Sequence, residues 1–331
     1  EHGYYIAQQP FGHEGDFITA PEVSQMFGEL LGAWMAHTWE TMGRPDPVRL
    51  VELGPGRGTL MTDALRAARL QPGLAETASV HLVEVSPRLR VTQRGSLADS
   101  GFTVHWHSTF AEVPPGPVVV VANELFDALP IRQFERTPRG WCERLVDAGP
   151  DGTFRFVLTT STSPAAALLP PEVRDAPLMA VAEVCPAGLL LAAEIANRTV
   201  TEGGAALVID YGATEFGPRQ TLQAVVQHKS HPPLESPGVA DLCAHVDFAM
   251  LGRAADEAGA KVWGPAPQGK FLGALGIGAR AAALKAGATP EQANDVDAAL
   301  ARLVGTEGMG GLFQVLCIAA PDLPDPEGFE S

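Results

Sequence analysis

An apolar run that ends in a glycine-rich turn constrains this 331-residue chain more than any other feature. Val48–Leu53 is mostly apolar, carries the acid Glu52 near its end, and is followed by glycines at 54, 56 and 58. Such a run predicts a buried strand that turns directly into a helix. Glycines in the turn remove the Cβ atoms that would keep a ligand from lying against the backbone.

The spacing of these glycines separates two classes of ligand. The pattern is G-x-G-x-G with Thr59 after it, whereas dinucleotide enzymes carry G-x-G-x-x-G. An acid two positions before the first glycine is the form that methyltransferases dependent on S-adenosylmethionine (SAM) use. We therefore expect SAM rather than NAD. The residues expected to contact it are Glu52, Gly54, Pro55, Gly56, Gly58 and Thr59.

Composition excludes several other functions. The four cysteines are far apart and form no C-x-x-C pair, which argues against a zinc site and a disulfide scaffold. The net charge of −16 disfavours nucleic acid as a partner and suits a basic protein segment, although it can equally serve solubility alone. No run of 18 apolar residues is present, so we expect no membrane span.

From Pro47 onward, predicted strands and helices alternate. This alternation predicts an α/β fold with an open, doubly wound, Rossmann-like sheet that binds its ligand at the carboxyl ends of the strands. A distant last strand over 312–320 would close the sheet as its one antiparallel member. We expect a single domain over 1–331, and within it four features. The first is an N-terminal lid and helix over 1–43, with a capping box from Thr19 to Glu22. The second is a hairpin and loop insertion over 131–180, and the third is a substrate-side loop over 213–245 with little periodicity. The fourth is one helix over 271–286.

Acidic residues follow the predicted strands at the rim where a ligand would bind. Glu84 ends the second strand, where an acid can hold the ribose hydroxyls of the cofactor, or else cap the next helix. Asn123, Glu124 and Asp127 follow the fourth strand. Two carboxylates there can grip the fork of a guanidinium and accept a proton from it, so we assign these three residues to catalysis. The alternative is that Asn123 and Asp127 cap a following helix.

A second polar group is predicted beside the same crevice, on the substrate side. Asp210 and Tyr211 close the fifth strand, and His245 and Asp247 follow the long polar loop. The spacing of His228, His231, His245 and Asp247 superficially suggests metal ligands. Because no H-E-x-x-H motif occurs, we expect no metal.

Several ordered motifs, spread from Gly3 to about Ala319, resemble the MidA family of class I SAM-dependent methyltransferases. They are GDFITAPEVSQMFGELLGAW, LVELGPGRGTLMTDALR, VHLVEVSPRLR, ANELFDALPIRQF, IDYG, TLQAV, PGVADLCAHVDF and QGKFLGALGI. The family includes the mitochondrial arginine methyltransferase of complex I assembly. The resemblance implies the seven-stranded methyltransferase fold, SAM as cofactor with S-adenosylhomocysteine as product, and methylation of a protein arginine to the symmetric dimethyl form.

The resemblance also implies roles for individual residues. Asp16, Thr19 and Pro21 match a segment near the methionine end of the cofactor, with Glu22 toward the substrate. Glu124 and Asp127 match the family's ANE-FDALP segment. The implied partner is a protein, such as a complex I subunit, in a bacterial cytoplasm or a mitochondrial matrix.

Two other functions stay open at this point. The chain can be a small-molecule O- or N-methyltransferase on the same fold. It can also be a non-catalytic assembly factor that uses SAM only structurally. The sequence does not determine the oligomeric state.

Overall fold

The computed structural model describes residues 19–226 and 229–329, and its centre is a mostly parallel β-sheet. The strands are β1 (Val48–Leu53), β2 (Ala78–Val83), β3 (Thr103–His107), β4 (Val118–Asn123), β5 (Arg132–Thr137), β6 (Gly140–Ala148), β7 (Phe154–Leu158), β8 (Val181–Val184), β9 (Gly204–Ala213), β10 (Gln223–Val226), β11 (Lys229–His231), β12 (Asp241–Cys243), β13 (Val246–Asp247), β14 (Lys261–Pro267) and β15 (Phe313–Ala319). Seven strands of the central sheet lie in the order β14-β15-β9-β4-β1-β2-β3, and β13 pairs with β9 beside them. Of these seven, β15 alone runs in the direction opposite to the other six. The predicted doubly wound sheet with one antiparallel closing strand is therefore confirmed.

Helices cover both faces of this sheet because successive strand residues point to opposite sides. Leu50 belongs to one apolar cluster with Phe27 and Trp34, whereas the next residue, Val51, belongs to the other with Phe248. The α-helices are α1 (Ala20–Val23), α2 (Gln25–Thr41), α3 (Thr59–Ala68), α4 (Leu74–Thr77), α5 (Pro87–Ser96), α6 (Pro186–Glu202), α7 (Phe248–Glu257), α8 (Gln268–Ala274), α9 (Ile277–Lys285), α10 (Pro290–Val304) and α11 (Met309–Leu312). None of the helices in the described ranges combines the length and the apolarity that crossing a bilayer requires.

The register of three central strands brings their carboxyl ends to one edge. Leu53, the last residue of β1, pairs with Val83 on β2 and with Ala122 on β4. The residues that follow these strands, Gly54 and Glu84 among them, therefore leave the sheet side by side. This edge is where doubly wound sheets bind ligands.

The N-terminal helical segment is broken into two helices. Ser24 is extended (φ −164°, ψ 142°), and its hydroxyl caps α2 by accepting a hydrogen bond from the backbone N–H of Met26. The predicted capping box is wrong, because the Thr19 side chain makes no capping bond and Glu22 binds elsewhere. Residues 1–18 of the predicted lid and helix over 1–43 lie outside the described residues.

Both insertions carry more structure than the sequence predicts. The first forms a four-stranded antiparallel sheet, β7-β6-β5-β8, whose last strand lies beyond the predicted boundary at residue 180. The loop over 213–245, expected to have little regular structure, holds a small sheet in the order β11-β10-β12. Each of these strands is only three or four residues long, so periodicity alone does not reveal it.

The helix predicted over 271–286 is two helices. α8 ends at Ala274, and Gly276 has a left-handed backbone (φ 88°) before α9 begins. Glycine adopts this conformation without the steric cost that a Cβ adds, so the chain turns here.

Candidate active site

The glycine turn after β1 forms the floor of a cleft at the carboxyl edge of the sheet. Gly54, Gly56 and Gly58 all have left-handed backbones, with φ of 67°, 51° and 83°. A Cβ on Gly54 would lie 2.8 Å from Cδ1 of Leu125, so a side chain there forces its neighbour to move. The turn is thus shaped by conformations and contacts that favour glycine.

The cleft above this turn has a volume of about 400 Å³. The N-terminal segment forms a second wall, because the Thr59 hydroxyl donates a 2.6 Å hydrogen bond to Oε1 of Glu22. Most of the residues predicted to bind the cofactor line it, and Glu22, predicted on the substrate side, lines it as well. Its lining comprises Thr19, Pro21, Glu22, Glu52, Gly54, Pro55, Gly56, Arg57, Thr59, Leu60, Asn123 and Glu124. Asp16 lies outside the described residues.

Glu52 supplies a buried carboxylate to this cleft. The residue is 3% exposed, and its Oε2 atom has no hydrogen-bond partner in the part of the chain that the structure describes. Burial raises the pKa of Glu52 to about 8, which outweighs the lowering effect of a hydrogen bond with the backbone of Met61. A buried carboxylate oxygen without a partner suits a cationic ligand group.

Glu84 lies at the end of β2, but its carboxylate points into local structure. Oε1 accepts a 2.7 Å hydrogen bond from the backbone N–H of Ser86, and Oε2 accepts one from Nε2 of Gln93. The residue is buried and does not line the 400 Å³ cleft. The contact with Ser86, the N-cap of α5, agrees with the helix-capping alternative. The ribose-binding role of Glu84 stays a prediction.

Gln93 is a site residue that the sequence does not reveal. It is fully buried on α5, and its Nε2 atom donates a 2.7 Å hydrogen bond to the carbonyl of Gly56. Its Oε1 atom accepts a hydrogen bond from the indole of Trp106. Gln93 thereby connects the glycine turn to Glu84 and β3. No local pattern indicates this role, since Gly56 is 37 residues away in the chain.

Asn123 and Glu124 form the rim of the cleft after β4. Glu124 has φ 51°, an uncommon conformation for a residue with a Cβ, and it is held there by its N–H donating to the carbonyl of Ile209. Its Oε1 atom accepts hydrogen bonds from the backbone of Ala20 and from the side chain of Asn123. Burial raises the pKa of Glu124 to about 7, with a further increase from the charge of Asp127.

Asp127 and Asp210 form a second acidic layer behind the rim. Oδ2 of Asp210 accepts hydrogen bonds from the backbone N–H groups of Phe126 and Asp127. Burial raises the pKa of Asp210 well above its usual range, and the charges of Asp127 and Glu124 add to this effect. Burial also raises the pKa of Asp127 to about 6, against the lowering effect of its hydrogen bond with Tyr211. Three acidic side chains are therefore close together here.

We predict that Glu124 and Asp127 together bind the acceptor at the rim of the cleft, and the structure brings one of the two to the cleft. Glu124 lines the cleft, whereas Asp127 does not. Oδ1 of Asp127 is buried and has no hydrogen-bond partner among the described residues. The alternative of a capped α-helix is wrong, since Phe126–Ala128 is a single 3-10 turn and β5 follows.

His245 and Asp247 line a second cavity of about 620 Å³. The His245 ring packs edge-on against Tyr211, with centroids 5.3 Å apart. Asp247 caps α7 by accepting from the backbone N–H of Met250, and it pairs with Arg219 at 3.6 Å. Neither residue lines the 400 Å³ cleft. Across residues 19–226 and 229–329, no group of three His, Cys, Asp or Glu side chains is arranged to hold a metal ion.

The fold and the cleft together define a class of enzyme. The strand order and the glycine turn fit a ligand with a compact amino-acid end. The carboxylate oxygen of Glu52 that has no partner among the described residues fits a cationic amine on that ligand. The amino-acid tail of SAM has these properties. The chain is a class I SAM-dependent methyltransferase.

Comparisons with known proteins identify the family. Residues 30–266 match the family model described as "Putative S-adenosyl-L-methionine-dependent methyltransferase". The mouse "Protein arginine methyltransferase NDUFAF7, mitochondrial" is 40% identical over 302 residues, which cover 84% of this chain and 68% of the mouse protein. Its zebrafish counterpart is 37% identical over 339 residues, covering 96% of this chain and 79% of that protein.

A solved structure agrees with this result. The crystal structure of a Burkholderia thailandensis protein bound to S-adenosyl-homocysteine is 30% identical, with a TM-score of 0.80, and the match covers 98% of this chain and 83% of that chain. The chain therefore belongs to this family of SAM-dependent methyltransferases, and its predicted resemblance to the MidA family is confirmed. SAM is its cofactor.

Proposed function

We propose that this enzyme transfers methyl groups from SAM to an arginine side chain of a protein substrate. The observation that carries the proposal is the buried carboxylate of Glu124 at the rim of the cofactor cleft, backed by Asp127 and Asp210. A guanidinium is a cation with several donors in one plane, and carboxylates bind it with directed hydrogen bonds. The names of the mouse and zebrafish relatives support the same acceptor.

The residues of the chain have separate tasks in this proposal. Glu52 would bind the amine of the cofactor, and the turn from Gly54 to Gly58 would let its amino-acid tail approach the backbone. When bound, SAM supplies an electrophilic methyl group on its sulfonium. Glu124 would orient the acceptor nitrogen and take up the proton that leaves it, because a carboxyl whose pKa is about 7 exchanges protons readily at neutral pH.

Asn123 and Asp127 would support Glu124 in different ways. The amide of Asn123 donates to Oε1 of Glu124 at 3.1 Å and so fixes the orientation of the carboxylate. Asp127 raises the pKa of Glu124 through its charge. We propose that Asp127 accepts the proton from the rim after transfer, with Tyr211 holding its carboxylate in place.

The finer features of the proposal rest on the family resemblance. They are symmetric dimethylarginine as the product, a subunit of respiratory complex I as the substrate, and the bacterial cytoplasm or the mitochondrial matrix as the location. The acidic composition of the chain, with a net charge of −16, supports a basic segment as the acceptor.

The test is to find where the methyl group goes. The purified chain is incubated with methyl-tritiated SAM and an extract of cells that lack this enzyme, and the protein and small-molecule fractions are counted separately. We expect label in protein and, after acid hydrolysis, in symmetric dimethylarginine. Label in asymmetric dimethylarginine would contradict the product, and label in another amino acid would contradict the acceptor. Label only in small molecules would favour an O- or N-methyltransferase of metabolites. The absence of transfer despite SAM binding would favour a non-catalytic assembly factor.

A further inference from the structure

The second cavity, of about 620 Å³, lies where the two insertions of this fold meet. The first insertion contributes its last strand, β8, through Glu183 and Val184, and the second contributes Gly217 and Arg219. The start of α6 and residues 244–251 complete the walls. The cavity is thus built by the two insertions together with the ends of β9 and β13 and the helices α6 and α7.

This cavity contacts the acidic layer and shares no lining residue with the cofactor cleft. Phe126 forms part of its wall, and the backbone N–H of the same residue donates to Asp210 at 3.0 Å. His245 forms another part, and its ring contacts Tyr211, whose hydroxyl is bonded to Asp127. The wall of the cavity is therefore in contact with the acidic layer behind the rim where Glu124 lies.

The charged groups that face the cavity are already paired. The Glu183 carboxylate accepts hydrogen bonds from the side chain of Gln133 and from both the backbone and the hydroxyl of Thr221. Asp247 is engaged with Arg219 and with the N-terminus of α7. A cation or an anion entering here would have to displace one of these partners.

Much of the remaining wall is apolar, and His245 and Thr221 are its polar members. Phe126, Ile131, Leu189, Val246, Met250 and Leu251 all face the cavity. Apolar walls with paired charges favour a neutral ligand that removes apolar surface from water.

We propose that this cavity binds an apolar side chain of the substrate polypeptide, leucine- or phenylalanine-like, that flanks the methylated arginine. The inference rests on the proposed function, because the cavity adjoins the rim that would hold the arginine. The charge of the chain attracts a basic segment without fixing its register, whereas an enclosed apolar side chain fixes which arginine reaches Glu124. Burying such a side chain is expected to strengthen binding by about 10- to 100-fold.

The direct test uses N-acetyl-phenylalaninamide as a probe, with N-acetyl-lysinamide as a charged comparison, and measures binding to the S-adenosylhomocysteine complex by NMR. Gly217→Trp fills the cavity from a loop, where a Cβ makes only ordinary contact with Arg219 at 3.6 Å. Ala213→Trp fills it from β9 and serves as a second variant should the first misfold. Leu190→Trp, on the exposed face of α6 with 73% exposure, is the matched control.

We expect the phenylalanine probe to bind the wild type and Leu190→Trp, and to bind the filled variants at least about 10-fold more weakly. Three outcomes would overturn the inference. The lysine probe binds as tightly as the phenylalanine probe, the filled variants bind the phenylalanine probe as tightly as the wild type does, or the phenylalanine probe does not bind the wild type up to its solubility limit.

A methylation assay separates this inference from the proposed function. Peptides with one arginine and either leucine or glycine beside it are compared in the wild type and Gly217→Trp. We expect a preference for leucine that the variant loses. Methylated arginine without this preference would overturn the cavity's role and leave the proposed function intact. If no arginine is methylated while the phenylalanine probe binds as expected, the proposed arginine acceptor is wrong. The preference of the cavity for an apolar side chain is then the part of the inference that is retained.

Discussion

The carboxylate of Glu124 accepts a 3.0 Å hydrogen bond from the backbone N–H of Ala20, a residue 104 positions earlier in the chain. This contact attaches the first described helix to the rim of the cofactor cleft. Since the hydrogen bond stabilises the ionised form, it lowers the pKa of Glu124 against the larger effect of burial. The N-terminal segment therefore favours the ionised form of the residue to which we assign catalysis, against the larger effect of burial.

Removing this single donor should shift the pH dependence of catalysis. Ala20→Pro deletes the N–H at the first position of α1, where proline fits the helix, and Thr19 before it is already extended (φ −74°, ψ 161°). We expect the pKa of Glu124 to rise from about 7, so that the acidic limb of the kcat/KM profile moves to higher pH. Ala20→Ser keeps the donor and is the control. An identical profile for both variants would show that this contact does not act on the reaction.

Binding of SAM should release a proton near neutral pH. The pKa of Glu52 is about 8, so its carboxyl is mostly protonated in the free chain at pH 7. Pairing with the amine of the cofactor favours the ionised form and lowers this pKa. Below pH 8, SAM affinity should therefore rise with pH, by up to about tenfold per unit.

Calorimetry in buffers with different ionisation enthalpies measures the proton that SAM releases. Glu52→Gln should bind SAM more weakly and without proton release. Asp63→Asn, which changes another buried acid that does not line the cleft, is the control. Proton release that persists in Glu52→Gln would assign the proton to another group.

Tyr211 should tune Asp127 rather than bind the cofactor. Its hydrogen bond lowers the pKa of Asp127, so Tyr211→Phe should raise that pKa above about 6 and reduce activity most at low pH. Asp127→Asn should lower kcat by about 100-fold or more at every pH if the carboxylate takes up the proton. Both variants should keep the affinity for S-adenosylhomocysteine within a few-fold. Normal turnover by Asp127→Asn would limit Asp127 to a structural role.

The sheet edge at β2 and β3 should be sensitive to acid. His81 is 2% exposed and bonded to His107 at 2.9 Å, and burial lowers its pKa to about 3, with further lowering by the positive charges of His107 and His105. The folded pKa lies below the unfolded value of about 6.5, so the unfolded state takes up the proton first and stability falls as the pH drops from 6.5 toward 3.

Urea unfolding at pH 7 and pH 5 measures this effect. His81 should account for a loss of about 2 kcal/mol between these two values. His81→Gln should lose less stability than the wild type over this interval. His37→Gln replaces an exposed imidazole and should behave like the wild type. Equal losses for His81→Gln and the wild type would assign the acid sensitivity elsewhere.

The central sheet could be predicted because its signals are local. Val48–Leu53 is a continuous apolar run with a glycine directly after it, and β1 has the same bounds in the structure. α6 begins at Pro186 and ends at Glu202, because Pro186 opens it and Gly203 closes it. In such segments the residues that determine the structure are neighbours in the chain.

Other features depend on contacts between distant residues and could not be predicted. Asp127 does not line the cleft, and Tyr211, which lowers its pKa against the larger effect of burial, lies 84 positions later in the chain. Gln93 reaches Gly56 only after α5 packs beside the glycine turn. The strands of residues 213–245 are short, and their pairing partners define them more than their own residues do. The periodicity of apolar residues in the sequence does not reveal these contacts between distant residues.

The most direct test of the account asks whether Glu124 controls methyl transfer to arginine. SAM carrying a trideuterated methyl group is incubated with a substrate protein and with the wild type or Glu124→Gln, and the labelled residue is mapped by tandem mass spectrometry. We predict trideuteromethyl groups on arginine with the wild type. With the variant we predict a rate lower by about 100-fold or more, while its affinity for S-adenosylhomocysteine stays within a few-fold. Label on another residue type would contradict arginine as the acceptor. Label on arginine at an undiminished rate with Glu124→Gln would contradict the catalytic role of Glu124.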